Sequence, residues 1–232
     1  MNYDWQAALV FTVSVIAISI IGKKLVFLHP QLQRMREINR EQDKQKLAQD
    51  KYPPVVAQNN KIGLITNLLF FVLVVPFFVS MTAQPWYWVL LDIVAILMVY
   101  DFFYYLTHRF LFHGKGYLRR VHGLHHQARK PTHIDAFYVH PVETVIGIFL
   151  FMATIPLLAL FMGEFHVITV IIAYQVFIQL NTINHTYVDL PGFGFRTLSW
   201  ITAKHAVHHE NMHKGNYATI TLLYDRIFGT LD

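Results

Sequence analysis

The 232 residues are 54% hydrophobic and 14% charged, and the apolar residues fall in blocks long enough to cross a bilayer. The absence of cysteine excludes disulfides, iron–sulfur clusters, thiolate zinc sites and cysteine nucleophiles. The net charge of +5 sits between and after the apolar blocks, a placement that fits a membrane surface rather than nucleic acid.

Residues 5–22 form the first expected span, opened by Trp5 and closed by Lys23 and Lys24. Its N-terminal flank carries Asp4 and no basic residue, and no small-x-small cleavage site follows, so it reads as a retained anchor. Residues 30–51 are charged and rich in helix formers, with Pro30 suited to a first helical turn. They are expected to form a solvated helix at the membrane surface, stopped by Pro53 and Pro54.

Residues 62–82 and 86–107 are expected to make a hairpin of two spans joined around Pro85, with Trp86, Tyr87 and Trp88 in the far aromatic belt. Asp92 and Asp101 are costly inside a span. Asp101 lies seven residues, two helical turns, before His108. It is expected either to accept the second ring proton of a ligating histidine or to bond an unrelated hydroxyl or amide. For Asp92, near the outer end, the unrelated partner is favoured. Residues 142–162 and 167–183 form a second hairpin broken at Gly163 and Glu164, whose short second arm is either spanning or re-entrant. Pro191, Gly192 and Gly194 mark a turn, and a helical pattern resumes over 196–209.

Nine of the 19 basic residues lie between the first two apolar blocks, and every other one falls in 109–130 or 196–226. The positive-inside rule then places the N-terminus outside, and the basic segments and the C-terminus in the cytoplasm.

The chain holds 14 histidines. His122, His125 and His126 stand at i, i+3 and i+4, one helical face from which three imidazoles can converge on a metal. His205, His208 and His209 repeat that spacing. His108 and His113, five apart, lie roughly 140° apart on an ideal helix. They converge only if the helix loosens near its end, which Gly114 and Gly116 permit. His185 closes the last apolar segment and completes the set. His140 and His213 are candidate additional ligands or close neighbours of the site, His133 is expected to be structural, and His29 and His166 are bystanders.

Nine imidazoles exceed what one ion holds, so two ions are implied. All-nitrogen ligation suits iron, zinc, copper or nickel. Two redox metals beside an apolar region point to O₂ activation and C–H oxidation. A non-catalytic metal-binding membrane protein is the alternative of a different class, and it would place polar groups through the spans if it were a transporter.

The strings HRFLFH (108–113), HGLHH (122–126), HPVE (140–143), NH (184–185), HAVHH (205–209) and NYATITLLYDRIFGT (216–230) together resemble the fatty acid hydroxylase and sterol desaturase superfamily, over roughly residues 60–232. The apolar blocks give an all-α integral membrane protein of about five transmembrane helices, two hairpins plus an N-terminal anchor, and the resemblance implies a cytoplasmic histidine-rich helical cap over the spans. The chain is expected to divide into an N-terminal transmembrane anchor (1–28) and a charged linker helix (29–60), both read from hydropathy and charge, and a membrane domain with a di-metal site (61–232), the part the resemblance covers.

By the same resemblance His108, His113, His122, His125, His126, His185, His205, His208 and His209 ligate two irons, with zinc as a substitute, and O₂ is co-substrate. The implied reaction is hydroxylation of a membrane lipid, with desaturation as the alternative outcome on the same site. Electrons are expected from a separate donor of ferredoxin or cytochrome b5 type with its reductase. Fatty acid 2-hydroxylases of the superfamily carry a further histidine four before the one matching His185. Asn181 stands there, as in sterol-desaturase-like members, and is a candidate neighbour of the site.

Overall fold

The structure is a computed structural model that describes residues 3–186 and 193–232. Among the described residues the regular secondary structure is helical except for two dipeptide strands. In chain order it comprises α1 (Trp5–Val26), α2 (Pro30–Leu47), α3 (Tyr52–Leu73), α4 (Val75–Phe78), β1 (Val79–Ser80) and α5 (Trp86–Leu106). A π-helical turn (Thr107–Phe112), α6 (Tyr117–His125), a 3₁₀ turn (His133–Ala136) and α7 (Pro141–Met162) follow. The chain ends in β2 (Phe165–His166), α8 (Val167–Ile183), α9 (Phe193–Glu210) and α10 (Leu223–Ile227).

Among the described residues four helical stretches are long and apolar enough to cross a membrane: Trp5–Val26, Tyr52–Phe78, Trp86–Phe112 and Pro141–Met162. The shorter apolar helix α8 has 17 residues, about 26 Å at 1.5 Å per residue, slightly less than the ~30 Å hydrocarbon thickness. The far connections of the two hairpins are tied together, since β1 pairs with β2 in parallel through Val79↔Phe165 and Ser80↔His166.

Helix α1 is capped by Asp4, whose carboxylate accepts from the Ala7 N–H at 2.9 Å. It buries only the i, i+4, i+8 stripe Ala7, Phe11 and Val15. Phe11 meets Phe70, Phe71 and Tyr174 edge-on, so α1 leans on α3 and α8. The remaining core is an aromatic column: Tyr100 of α5 and Phe151 of α7 both contact Phe177 of α8, with Phe151 and Phe177 stacked at 4.5 Å.

The charged helix α2 departs from the expectation of a solvated element. Met35, Asn39 and Asp43 form its own i, i+4, i+8 buried stripe. Asp43 accepts from the Thr132 hydroxyl at 2.7 Å and the Ile134 N–H at 3.0 Å, and Lys46 pairs with buried Asp135. Asp135 also accepts from Tyr52 at 2.9 Å. The helix is therefore docked on the 132–135 turn.

Pro53 and Pro54 do not stop it. Helix α2 ends at Leu47, and the two prolines occupy the first turn of α3, where a missing N–H costs nothing. The second span therefore begins at Tyr52 instead of residue 62, and α3 runs through the expected domain boundary at 60/61. Helix α9 begins at Phe193, three residues before the expected start. The turn expected at Pro191 and Gly192 lies outside the described residues.

Candidate metal centre

The histidines enter the site from four elements. The end of α5 is where the backbone changes type: His113 donates its N–H to the His108 carbonyl at 2.9 Å, an i→i+5 bond. Widening the helix by about one residue per turn closes most of the 140° mismatch and brings the two rings together, with centroids 5.0 Å apart and planes tilted by 58°. The loosening anticipated from Gly114 and Gly116 is thus a π turn. Gly114 is required just beyond it, because a Cβ there would lie 2.2 Å from the Phe110 carbonyl oxygen.

The two triplets do not each serve one centre. Among the described residues the imidazoles form two groups, His108, His113, His122, His126 and His208 in one and His125, His185, His205 and His209 in the other. Within each group the nitrogens lie within 4.8 Å of one another. The i+3 and i+4 members of a triplet differ by about 100° around the helix, so they face opposite sides of a seam between α6 and α9. Helix α6 gives His122 and His126 to the first group and His125 to the second, and α9 gives His208 to the first and His205 and His209 to the second.

In the first group the Nε2 atoms form a closed quadrilateral: His108–His122 3.0 Å, His122–His126 3.0 Å, His126–His208 3.1 Å and His208–His108 3.1 Å. The buried Nε2 of His113 has no partner. In the second group the contacts run His125–His185 2.9 Å, His185–His205 3.0 Å and His205–His209 3.1 Å.

The outer ring nitrogens fix the chemistry of these contacts. Nδ1 of His108, His113 and His208 donates to the backbone carbonyls of Tyr217 (2.7 Å), Met212 (2.8 Å) and Gly215 (2.7 Å). In the second group Nδ1 of His185 donates to the Asn181 carbonyl at 2.9 Å. A carbonyl only accepts, so each of these rings carries its proton on Nδ1 and a lone pair on Nε2 when neutral. His108 and His208 therefore face each other lone pair to lone pair at 3.1 Å.

Burial also keeps the rings neutral, pushing His113, His125 and His185 down to about 4. His122, His205, His208 and His209 are held well below the ordinary histidine value by burial and, after it, by neighbouring histidines of the site. Converging neutral lone pairs repel unless a cation lies among them, so this donor set fits a metal. For metal–nitrogen bonds of about 2.1 Å, nitrogens 3.0 Å apart subtend roughly a right angle, whereas a tetrahedral zinc site would space them by about 3.4 Å.

Glu143 accepts from Nδ1 of His122 at 2.8 Å and is buried at the first turn of α7. It is the carboxylate partner of a candidate ligand, and sequence reasoning assigned it no part. Asp101 does not fill that role. Its carboxylate accepts the backbone N–H groups of Thr219, Ile220 and Thr221 at 2.9, 2.9 and 3.0 Å and the Thr221 hydroxyl at 3.0 Å.

Asp225 likewise takes the N–H groups of Tyr217 and Ala218, both at 2.8 Å. The 212–221 strap is thus held by carboxylates through its N–H groups while three of its carbonyls face the first group. Gly215 is obligatory in it, since a Cβ would sit 1.8 Å from the Thr230 carbonyl oxygen.

Asn181 reaches the second group through its backbone carbonyl, while its side chain accepts from the Thr219 hydroxyl at 2.9 Å. His140 is a helix cap, accepting from the Val142 N–H. His166 caps α8 in the same way. The His213 side chain belongs to neither group, nor do those of His29 and His133. Asp92 is buried near the start of α5, far along the chain from the histidines.

Residues 93–230, more than half of the chain, match the fatty acid hydroxylase family. The chain belongs to this family. It is 34% identical over 149 residues to methylsterol monooxygenase 1 of Rattus norvegicus, a match covering 62% of this chain and 48% of the relative. Methylsterol monooxygenase 1 of Gallus gallus is 31% identical over 149 residues, 62% of this chain and 47% of the relative. Fatty acid hydroxylase domain-containing protein 2 of Homo sapiens is 27% identical over 105 residues, 45% of this chain and 30% of the relative. The chain therefore spans about half the length of the methylsterol monooxygenases it matches. No solved structure matches it.

Proposed function

We propose that this chain is the catalytic membrane domain of an O₂-dependent lipid hydroxylase whose two buried histidine groups each hold one iron. The observation that carries this reading is the pair of all-imidazole groups whose Nε2 atoms lie 2.9–3.1 Å apart. His108, His113, His122, His126 and His208 would hold one ion, and His125, His185, His205 and His209 the other. Two irons would supply the redox chemistry that activates O₂ for insertion into a C–H bond.

The protein's own residues perform the remaining tasks. Strap carbonyls fix the tautomers of His108, His113 and His208, and Glu143 that of His122, so that these Nε2 lone pairs point inward before any ion arrives. The Tyr104 ring lies 5.4 Å from that of His108, and Tyr100, Phe151 and Phe177 continue an apolar column along α5, α7 and α8. That column excludes water and favours an alkyl substrate drawn from the bilayer.

Among such substrates, the names of the methylsterol monooxygenase relatives favour a sterol-like ring system and oxygen insertion over desaturation. In this reading the N-terminus lies outside. The histidine cap and the basic segments face the cytoplasm, where an acidic one-electron donor of ferredoxin or cytochrome b5 type would dock.

The test is turnover in membranes supplied with such a donor, read as O₂ uptake coupled to a lipid product heavier by one oxygen. His125→Ala and His208→Ala, one from each group, are expected to abolish both signals. Product formation persisting in both variants would refute the assignment of the site.

A further inference from the structure

Where α1 leaves the bilayer it meets α2 in a cleft of about 410 Å³, lined by Ser19, Ile20, Lys23, Lys24 and Arg36. Three cations from two separate helices converge there. Lys23 and Lys24 occupy the last turn of α1, where a basic residue also complements the helix C-terminus. Arg36 reaches in from α2 with its guanidinium 4.5 Å above the Phe27 ring, which holds it in place without neutralising it.

None of the three forms an ion pair among the described residues, because the acids of α2 are engaged elsewhere. Glu37 accepts from Gln33, Glu41 pairs with Lys44, and Asp43 is bonded to Thr132 and Ile134. Below the cations the wall turns apolar. Ile16 and Ile20 are half exposed on the bilayer-facing side of α1, one turn apart.

A positively charged cleft directly above an apolar helix face has the layout of a phosphodiester with its acyl chains. A topology signal needs only Lys23 and Lys24. It needs neither the third cation from another helix nor the cleft between them.

We propose that the α1–α2 junction is a binding site for one anionic phospholipid, its phosphate among Lys23, Lys24 and Arg36 and its chains along Ile16 and Ile20. Such a lipid would brace α2, which docks on the 132–135 turn beside the histidine cap. This site is independent of the reaction proposed above.

The test is native mass spectrometry of the full chain released from nanodiscs of phosphatidylcholine containing phosphatidylglycerol. The retained phosphatidylglycerol adduct is compared in the wild type, in Lys23→Gln/Lys24→Gln/Arg36→Gln, and in the charge-matched Arg34→Gln/Arg40→Gln/Lys61→Gln. Each basic side chain near an anionic headgroup strengthens binding several-fold, so the first triple should weaken retention about a hundredfold. The second triple should leave it near the wild-type level.

Equal retention in the two triples, or equal retention of phosphatidylcholine and phosphatidylglycerol, would overturn the proposal. So would inorganic phosphate at millimolar concentration displacing the lipid completely, which would mark a site for a free anion. If the first triple does not fold, Arg36→Gln alone is read in the same assay, with a several-fold loss expected and no loss refuting.

Discussion

Replacing Asp101 tests how the site is held together. Its carboxylate is fully buried and takes three backbone N–H groups and one hydroxyl from Thr219, Ile220 and Thr221, at 2.9–3.0 Å. Asp101→Ala leaves four donors without that partner, and two of them are N–H groups of the buried residues Thr219 and Ile220. Each orphaned buried donor costs ~1–3 kcal/mol, so the two buried N–H groups alone cost about 2–6 kcal/mol if the strap stays in place.

The strap relieves that cost by moving, and movement withdraws the Tyr217 carbonyl from His108, two residues upstream of Thr219. The ion of the first group should then be lost before that of the second, whose own Nδ1 contact, His185 to Asn181, lies outside the strap. Asp101→Asn keeps an oxygen for two of the N–H groups and should be milder, at about 1–3 kcal/mol. The assay is metal per chain with thermal unfolding of the purified protein in detergent. Metal should fall from two towards one per chain in Asp101→Ala, with a lowered unfolding midpoint. An Asp101→Ala protein with unchanged midpoint and full metal would refute the strap as the element that positions His108.

Glu143→Gln should weaken metal retention about 10–100-fold in competition with a chelator, because the carboxylate partner of His122 is replaced by an amide. Gly215→Ala forces the strap away from Thr230 and should lower metal content with little change in helix content by circular dichroism. Stripping the metal should lower the unfolding midpoint and re-addition should restore it, since the facing lone pairs of His108, His122 and His208 repel without a cation. Lys46→Met leaves the buried Asp135 carboxylate with Tyr52 and Thr132 as partners but no counter-charge. It should free α2 for proteolysis near Leu47, at a cost of about 3 kcal/mol.

Much of the site is legible in the chain because helical spacing acts locally. HGLHH and HAVHH each present three imidazoles within about 100° of the helix surface, and the 3.6-residue repeat alone brings them near a metal. The division of each triplet between two groups is a tertiary result, since it needs α6 and α9 to pack with a seam between them.

Asp101 shows where spacing misleads. Seven residues put it on the same face as His108, but about 10 Å lower along the axis, too far for a carboxylate to reach the ring. Its actual partners are backbone groups 118 to 120 residues away, and main-chain donors leave no mark in a sequence.

Glu143 was hidden differently. An acid in the first turn after Pro141 reads equally well as a complement to the helix dipole. Only the packing of α7 against α6 gives it His122. Pro53 and Pro54 were ambiguous for a related reason, because a proline pair ends one helix and begins another equally well.

The central claim is that two irons occupy the two histidine groups. The direct measurement is metal analysis with Mössbauer spectroscopy on protein purified without added metal, alongside His125→Ala. About two irons per chain with an antiferromagnetically coupled signal are expected, with that coupled signal lost in the variant. Zinc alone, with no iron taken up on anaerobic reconstitution and no iron-dependent O₂ uptake, would contradict the claim.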